Sequence, residues 1–268
     1  MINPYKISLF AAFLSANAFA NTIVAYVEAP GFQASSLSGI TTTDFNSLST
    51  GNYSTPLTTA IGVYQASSSD QFRVIGADNY GGAGGIGNYF AIGSESGFTG
   101  PLVLDLNSDA NYFGFWWSAG DANNTISFLE NGVLYATFDT ADIVGLLPNS
   151  PSGTVTAING STYNTQNYYG NPNNLAQDTQ EPFAYVDVIA NGLTFNQISF
   201  SNANLFSGFE SDNHSVAVGI TDPPTGDVIV ESVPLTAAAQ TPEPGTAFLL
   251  VAALGGLGLL KSRRSAVK

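Results

Sequence analysis

His214 is the single histidine of the 268-residue sequence, so a serine–histidine–aspartate arrangement can be built around it and nowhere else. Ser215 follows it, but consecutive strand residues point to opposite faces, so these two cannot be nucleophile and base. His214 is therefore expected as a solvent-facing strand residue without a catalytic role. One His and no Cys exclude a His-rich zinc site, zinc ribbons, disulfides and thiol nucleophiles, leaving hard, oxygen-ligated cations. Glu210, Asp212 and Asn213 offer oxygen ligands within four residues. Asp44, in Thr43-Asp44-Phe45-Asn46, joins them if an early strand meets the last one. These four are the candidate ligands of a structural Ca²⁺, and no other cofactor is implied. The chain has no Asp-x-Asp-x-Asp-Gly loop, so turn formation by Asp212 and Asn213 is the competing reading.

A carboxylate pair for glycoside hydrolysis needs two acids at the right separation, and the chain has too many acids to rank a pair. Most are expected to be solvated surface charges. Trp116 and Trp117 are adjacent, so in a strand one faces each side. Phe113, Phe115 and Trp117 form the better core face, which leaves Tyr112 and Trp116 opposite as candidates for stacking on sugar rings. If both faces of that sheet are covered, both Trp are core.

Charge narrows the partners. The sequence carries 20 Asp and Glu against 6 Lys and Arg, for a net charge of −14. Five of the six cations (Lys6, Lys261, Arg263, Arg264, Lys268) lie near the ends, so residues 21–242 hold 19 acids and only Arg73, a net of −18. Such a surface repels phosphate backbones and has no cations with which to release their counterions, which excludes nucleic acid.

The residues between the ends are rich in Thr, Ser, Asn, Gly and aromatics, a composition that disfavours helix and favours short strands joined by turns. Alternation predicts strands at 22–28, 61–66, 71–75, 89–92, 102–106, 110–117, 125–129, 133–138, 153–158, 183–190, 193–200 and 214–220, with an edge strand near 228–233. The fold class is all-β: a two-sheet β-sandwich or jelly-roll-like domain over 21–233, followed by a stalk at 234–240. At Asn131-Gly132 a two-residue loop sets Leu129 opposite Leu134 and puts apolar side chains on both faces. A three-residue loop, Glu130 to Gly132 with Gly132 left-handed, puts Ile126 and Phe128 on one face with Leu134, Ala136 and Phe138. The second register is expected. Residues 76–87 carry six glycines but no following Lys-Ser/Thr or helix pattern, so they read as a flexible loop and not a phosphate cradle. Residues 164–181 form an Asn/Gln/Tyr-rich loop.

The ends carry targeting information. Residues 1–20 have Lys6, an apolar stretch from Ile7 to Ala16, and Ala18-Phe19-Ala20 before Asn21, the pattern of a secretory signal peptide cut by signal peptidase. At the other end Pro242-Glu243-Pro244 precedes a 15-residue apolar run from Thr246 to Leu260 and then Lys261-Ser262-Arg263-Arg264. The run is short for a stable span, which needs about 20 residues, and the basic cluster places its end in the cytoplasm. Residues 241–268 thus resemble the PEP-CTERM sorting signal of bacterial surface proteins processed by exosortase. That resemblance implies a Gram-negative-type bacterium with exopolysaccharide and cleavage near Pro244 by a transpeptidase-like membrane enzyme. Tyr112 to Trp117, leading into the Asn131-Gly132 hairpin, and Gly208 to Val216 are similar to strands of exosortase-dependent ectodomains.

The expectation is an exported, exosortase-processed protein without catalytic activity, structural or adhesive at the cell surface and associated with exopolysaccharide. It is anchored in the inner membrane only through its C-terminal helix, with the C-terminus cytoplasmic, until processing releases it to the surface or medium. Two rival readings are a lectin-like carbohydrate-binding module, using Trp116 or the 164–181 loop, and a secreted glycoside hydrolase with carboxylates facing across a cleft.

Overall fold

A computed structural model describes residues 21–54, 56–66, 71–174 and 176–235. The described residues up to Pro234 belong to one compact unit. The signal peptide expected at 1–20 and the sorting signal expected at 241–268 lie outside the described residues. Among the described residues no helix is long and apolar enough to cross a membrane.

The described strands are β1 (Thr22–Val27), β2 (Thr41–Thr43), β3 (Gly51–Ser54), β4 (Leu57–Thr58), β5 (Gly62–Gln65), β6 (Gln71–Gly76), β7 (Asn88–Gly93), β8 (Leu102–Ala110), β9 (Tyr112–Ser118), β10 (Asn124–Glu130) and β11 (Val133–Asp139). After the single-turn α1 (Thr140–Val144) come β12 (Thr154–Thr156), β13 (Thr162–Asn164), β14 (Ala184–Asn191), β15 (Phe195–Asn202), β16 (Gly208–Ala217) and β17 (Val228–Pro234). One sheet runs β17-β1-β14-β9-β16-β7-β6-β3, with β2 also on β16; a second runs β11-β10-β15-β8-β5-β4; β12 and β13 form a small ribbon. The protein is all-β. The two large sheets pack face to face through aromatic rings: Phe113 lies 6.1 Å from Phe128 and 6.2 Å from Phe200, and Phe200 lies 5.8 Å from Phe209. Each such fully buried ring contributes about 1.5–3 kcal/mol through the apolar area it withdraws from water. Between β11 and β12 along the chain, α1 is held by a capping box in which Asp139 accepts from the Asp142 amide and Asp142 from the Asp139 amide, both at 2.9 Å.

The β10–β11 hairpin corrects the expected loop. Asn131 (φ 51°) and Gly132 (φ 79°) form a two-residue left-handed turn with Leu129 opposite Leu134. The register then shifts, and Phe128 pairs with Ala136 and Ile126 with Phe138. Tyr135 is the extra residue of a bulge, which returns Ala136 and Phe138 to the buried face and leaves Val133 and Leu134 exposed. The core face is the expected one without Leu134; the kink lies in β11 and not in the loop. A Cβ built on Gly132 meets nothing within 4 Å, so substitution there reports backbone strain alone. Gly132→Val is expected to cost about 1–2 kcal/mol and Gly132→Asn clearly less, since Asn tolerates the left-handed region. Thermal melting of the full chain checks this, and equal losses would argue against the positive φ.

Candidate functional site

β16 sets the geometry of the histidine. Its pairing with β9 shifts between Asp212 and Ser215, where Asn213 takes φ 49° and inserts one extra residue. The extra residue brings Ser211 and His214 to the same, inter-sheet face. His214 is completely buried, stacked on Phe200 (5.1 Å, 8°) with Phe45, Phe90 and Phe113 edge-on. Its Nδ1 bonds the Tyr64 hydroxyl at 2.7 Å and its Nε2 the Ser211 hydroxyl at 2.8 Å. The solvent-facing position expected for His214 is thereby corrected, because the bulge reverses the alternation. Burial with no compensating anion lowers its pKa to about 3, so it is neutral. A Ser–His pair therefore exists, Ser211 with His214, but both residues are sealed in the core, and the Ser211 hydroxyl also donates to the Trp116 carbonyl at 2.9 Å. Ser215 faces the other side, as alternation requires, bonded to Thr42 at 2.8 Å and Tyr185 at 3.0 Å.

That outer face of the large sheet is itself covered. Segments 29–37, 77–87 and 164–181 lie over it, tied by Asn213 Nδ2 donating to the Gln33 carbonyl (2.7 Å), by Asn171 Nδ2 donating to the carbonyls of Asp78 and Asn79 (3.1 and 3.0 Å), and by the Gly84 amide donating to Gln33. Trp116 is 2% exposed, packed with Phe183, Tyr185 and Ala119, and Tyr112 is fully buried. Neither presents a ring to a sugar, which corrects the stacking expectation for Tyr112 and Trp116. The glycine-rich segment is part of this cover: it contains a 3₁₀ turn at Ala83–Gly85, and its Ala83 amide donates to Asp212 at 3.0 Å. On the cover itself lies a groove of about 730 Å³ lined by exposed Phe32 with Gln33, Ser35 and Asn213. It shares Pro30 and Gly31 with a second, of about 490 Å³, lined by Tyr169, Gln166 and Asn167.

The four candidate Ca²⁺ ligands are dispersed. The early segment does meet the late strand, with Thr43 opposite His214. Asp44 is nevertheless exposed, its carboxylate accepting the Asn46 amide at 3.1 Å. Asp212 is buried and accepts the amides of Ala83 and Asn213 (2.7 Å), while Asn213 donates to Gln33. Burial first, opposed by those two amides, leaves the Asp212 pKa raised to about 7. Glu210 points elsewhere, into a cleft of about 280 Å³ that it lines with Glu95, Asp121, Glu181, Tyr80 and the 98% exposed Phe206. Desolvation, then the charges of Asp121, Glu95 and Glu181, pushes the Glu210 carboxyl well above the usual range. Desolvation, then Asp178 and Asp121, raises Glu181 to about 7. Arg73 reaches Glu95 at 3.6 Å. Among the described residues, the acids whose oxygens converge closely enough to share a metal ion are instead Glu28, Asp187 and Asp227.

Residues 240–265 match the family described as the PEP-CTERM protein-sorting motif. The match overlays the Pro-Glu-Pro, apolar run and basic cluster read from the sequence and marks the chain as an exported, exosortase-targeted protein sorted through the membrane. A comparison with curated proteins returns no match.

Proposed function

We propose that the chain, which carries a PEP-CTERM protein-sorting motif at residues 240–265, is a noncatalytic structural or adhesive protein of the cell surface, held in exopolysaccharide. The sorting motif is the observation that carries this reading. The burial of Ser211 and His214 supports it, because no substrate reaches them. The outer groove supports an adhesive role: Phe32 and Tyr169 offer apolar faces, and Gln33, Gln166, Asn167 and Asn213 offer uncharged amides suited to sugar hydroxyls. With a net of −18 over residues 21–242, the partner is expected to present neutral sugar units at this groove. The test is co-sedimentation of the mature surface protein with exopolysaccharide from the producing cells. Phe32→Ala should weaken retention about fivefold, equivalent to the roughly 1 kcal/mol of one ring contact. Retention no greater than that of an unrelated acidic protein would remove the adhesive reading.

One observation favours a second reading, a glycoside hydrolase. Glu181 at about 7 is poised as a general acid, and Glu210, Asp121 and Glu95 share its cleft. At about 280 Å³ that cleft is at the small end for a ligand site. Release of reducing ends from the same polysaccharide, abolished by Glu181→Gln, would establish hydrolysis in place of adhesion.

A further inference from the structure

Glu28 follows β1, Asp187 sits in the middle of β14, and Asp227 precedes β17; these are three adjacent strands at one edge of the large sheet. All three side chains are buried, at 2%, 0% and 0% exposure. One oxygen from each lies within 4.8 Å of the other two. The Ser36 amide donates to Glu28 at 2.5 Å and the Tyr112 hydroxyl donates to Asp187 Oδ1. Asp187 Oδ2 and both oxygens of Asp227 receive no hydrogen bond from an amide or a hydroxyl; Asp187 meets the carboxyls of Asp227 and Glu28 at hydrogen-bonding range. Among the described residues no cationic side chain answers them, since Arg73 is the single Lys or Arg of residues 21–235 and is engaged with Glu95. Three buried carboxyls, two of them with oxygens that no amide or hydroxyl meets, are costly unless something positive or protic lies among them.

We propose that Glu28, Asp187 and Asp227 bind a hard divalent cation of the Ca²⁺ class that fastens the last strand of the domain to its first. The donors are all carboxylate oxygens, the ligand type such ions select. One oxygen from each lies within 4.8 Å of the others, close enough for one ion to touch all three, and a buried site with little room for retained water suits Ca²⁺ better than Mg²⁺, which dehydrates reluctantly. The surrounding groups add to the negative field or are neutral: Tyr26 from β1, Tyr112 from β9, Tyr185 from β14, Tyr168, and Asp222, whose charge acts on Tyr26. The buried Tyr168 hydroxyl is also without a partner. Gly114 stands opposite Asp187, and its missing side chain makes room for the hydroxyls of Tyr112 and Tyr185.

The position gives the ion a role. β17 ends at Pro234, just before the sorting motif at 240–265, so it is the strand through which the domain is tethered before processing. β1 is the strand that follows the expected signal peptide. A cation shared by Glu28, Asp187 and Asp227 ties the end of β1 and the start of β17 to β14, at the end of these strands away from Thr22 and Pro234. Extracellular modules bind Ca²⁺ at about 10⁻⁴–10⁻³ M, so the site would load after export, where the ion is plentiful.

The experiment uses the full chain in detergent, stripped with EDTA, at pH 7.5. Ca²⁺ at a hundredfold excess over its Kd should raise the melting temperature by about 5–10 °C, more than Mg²⁺ or NaCl of matched ionic strength. Tb³⁺ should bind one per chain and show tyrosine-sensitised emission that Ca²⁺ displaces. Asp227→Asn should melt in EDTA no lower than the wild type, since it removes a repelling charge, yet gain nothing from Ca²⁺. Asp44→Asn, which removes an exposed carboxylate, should keep the full response. A Ca²⁺ response that survives Asp227→Asn, or that Mg²⁺ and NaCl reproduce, would overturn the site. So would EDTA-treated protein that gains nothing from Ca²⁺ but gains more stability from pH 7.5 to 5 than Asp227→Asn does, an outcome that assigns the cluster to shared protons.

Discussion

His214→Ala is expected to lower the stability of the domain by about 3–5 kcal/mol at pH 7.5, a large part of the 5–15 kcal/mol typical of a folded domain. The imidazole fills a fully buried site between Phe200, Phe45, Phe90 and Phe113, so its removal leaves a cavity. It also strips the Tyr64 hydroxyl of its partner, worth about 1–3 kcal/mol when buried and unsatisfied, whereas Ser211 keeps the Trp116 carbonyl. The deficit is expected to shrink as pH falls below about 6.5. In the unfolded chain His214 takes up a proton near 6.5, whereas burial delays this to about 3 in the folded protein. Between those values the unfolded state binds the extra proton, and the wild type loses about 1.4 kcal/mol per pH unit that the variant does not. The raised carboxyls act in the opposite sense. Asp212 and Glu181 at about 7 hold protons in the fold that the unfolded chain has released, so their contribution falls as pH rises from about 4 to 7. They are present in both proteins and cancel in the difference. Chemical denaturation of wild type and variant at pH 4.5, 6 and 7.5 checks this; a deficit independent of pH would mean that His214 takes up its proton at the same pH in the fold as in the unfolded chain.

The same residue marks where linear reading stops. Strict alternation places His214 outward, and it lies inward because one left-handed residue, Asn213, resets the count; Asp212-Asn213 was legible as a turn former, but not as a bulge within a strand. The long strands were legible because their faces differ: Phe113, Phe115 and Trp117 look into the sandwich and Tyr112 and Trp116 away from it. What covers the second face was not, since segments 29–37, 77–87 and 164–181 are polar, glycine-rich and distant in sequence, and their docking rests on amide hydrogen bonds rather than an apolar pattern. β2, β3, β4 and β13 escaped for a related reason. They are two to four residues of Thr, Ser, Asn, Gly, Tyr and Leu with little or nothing fully buried, stabilised by the strands they join. Helix α1 did carry a signal, Asp139 and Asp142 at capping-box spacing. The cluster of Glu28, Asp187 and Asp227 carried none, because its members meet only when β17 and β14 flank β1. By contrast the sorting motif is a contiguous run whose parts act in order along the chain, so it could be read before any fold was known.

Replacing Glu243 and Pro244 with alanine is expected to convert a released surface protein almost completely into an uncut, membrane-retained one. Prolines at 242 and 244 lack the amide donor a helix interior requires, so residues 241–245 are expected to stay extended and open to a protease. The apolar run 246–260 is expected to hold that segment at the membrane, while Lys261, Arg263 and Arg264 stop translocation by preferring the cytoplasmic side. At 15 residues the run falls short of the roughly 20 that span the hydrocarbon without strain, as suits an anchor that is discarded. Cleavage near Pro244 is expected to remove it together with the basic cluster, some 24 residues in all, and with them the hold on lipid that this segment provides. Mass spectrometry of the protein from the cell surface and medium should find a C-terminus close to Pro244 in the wild type, and the longer form in the membrane fraction of the double variant. Recovery of an intact peptide containing Phe248 to Lys268 from the wild-type surface protein would instead make the segment a permanent membrane anchor.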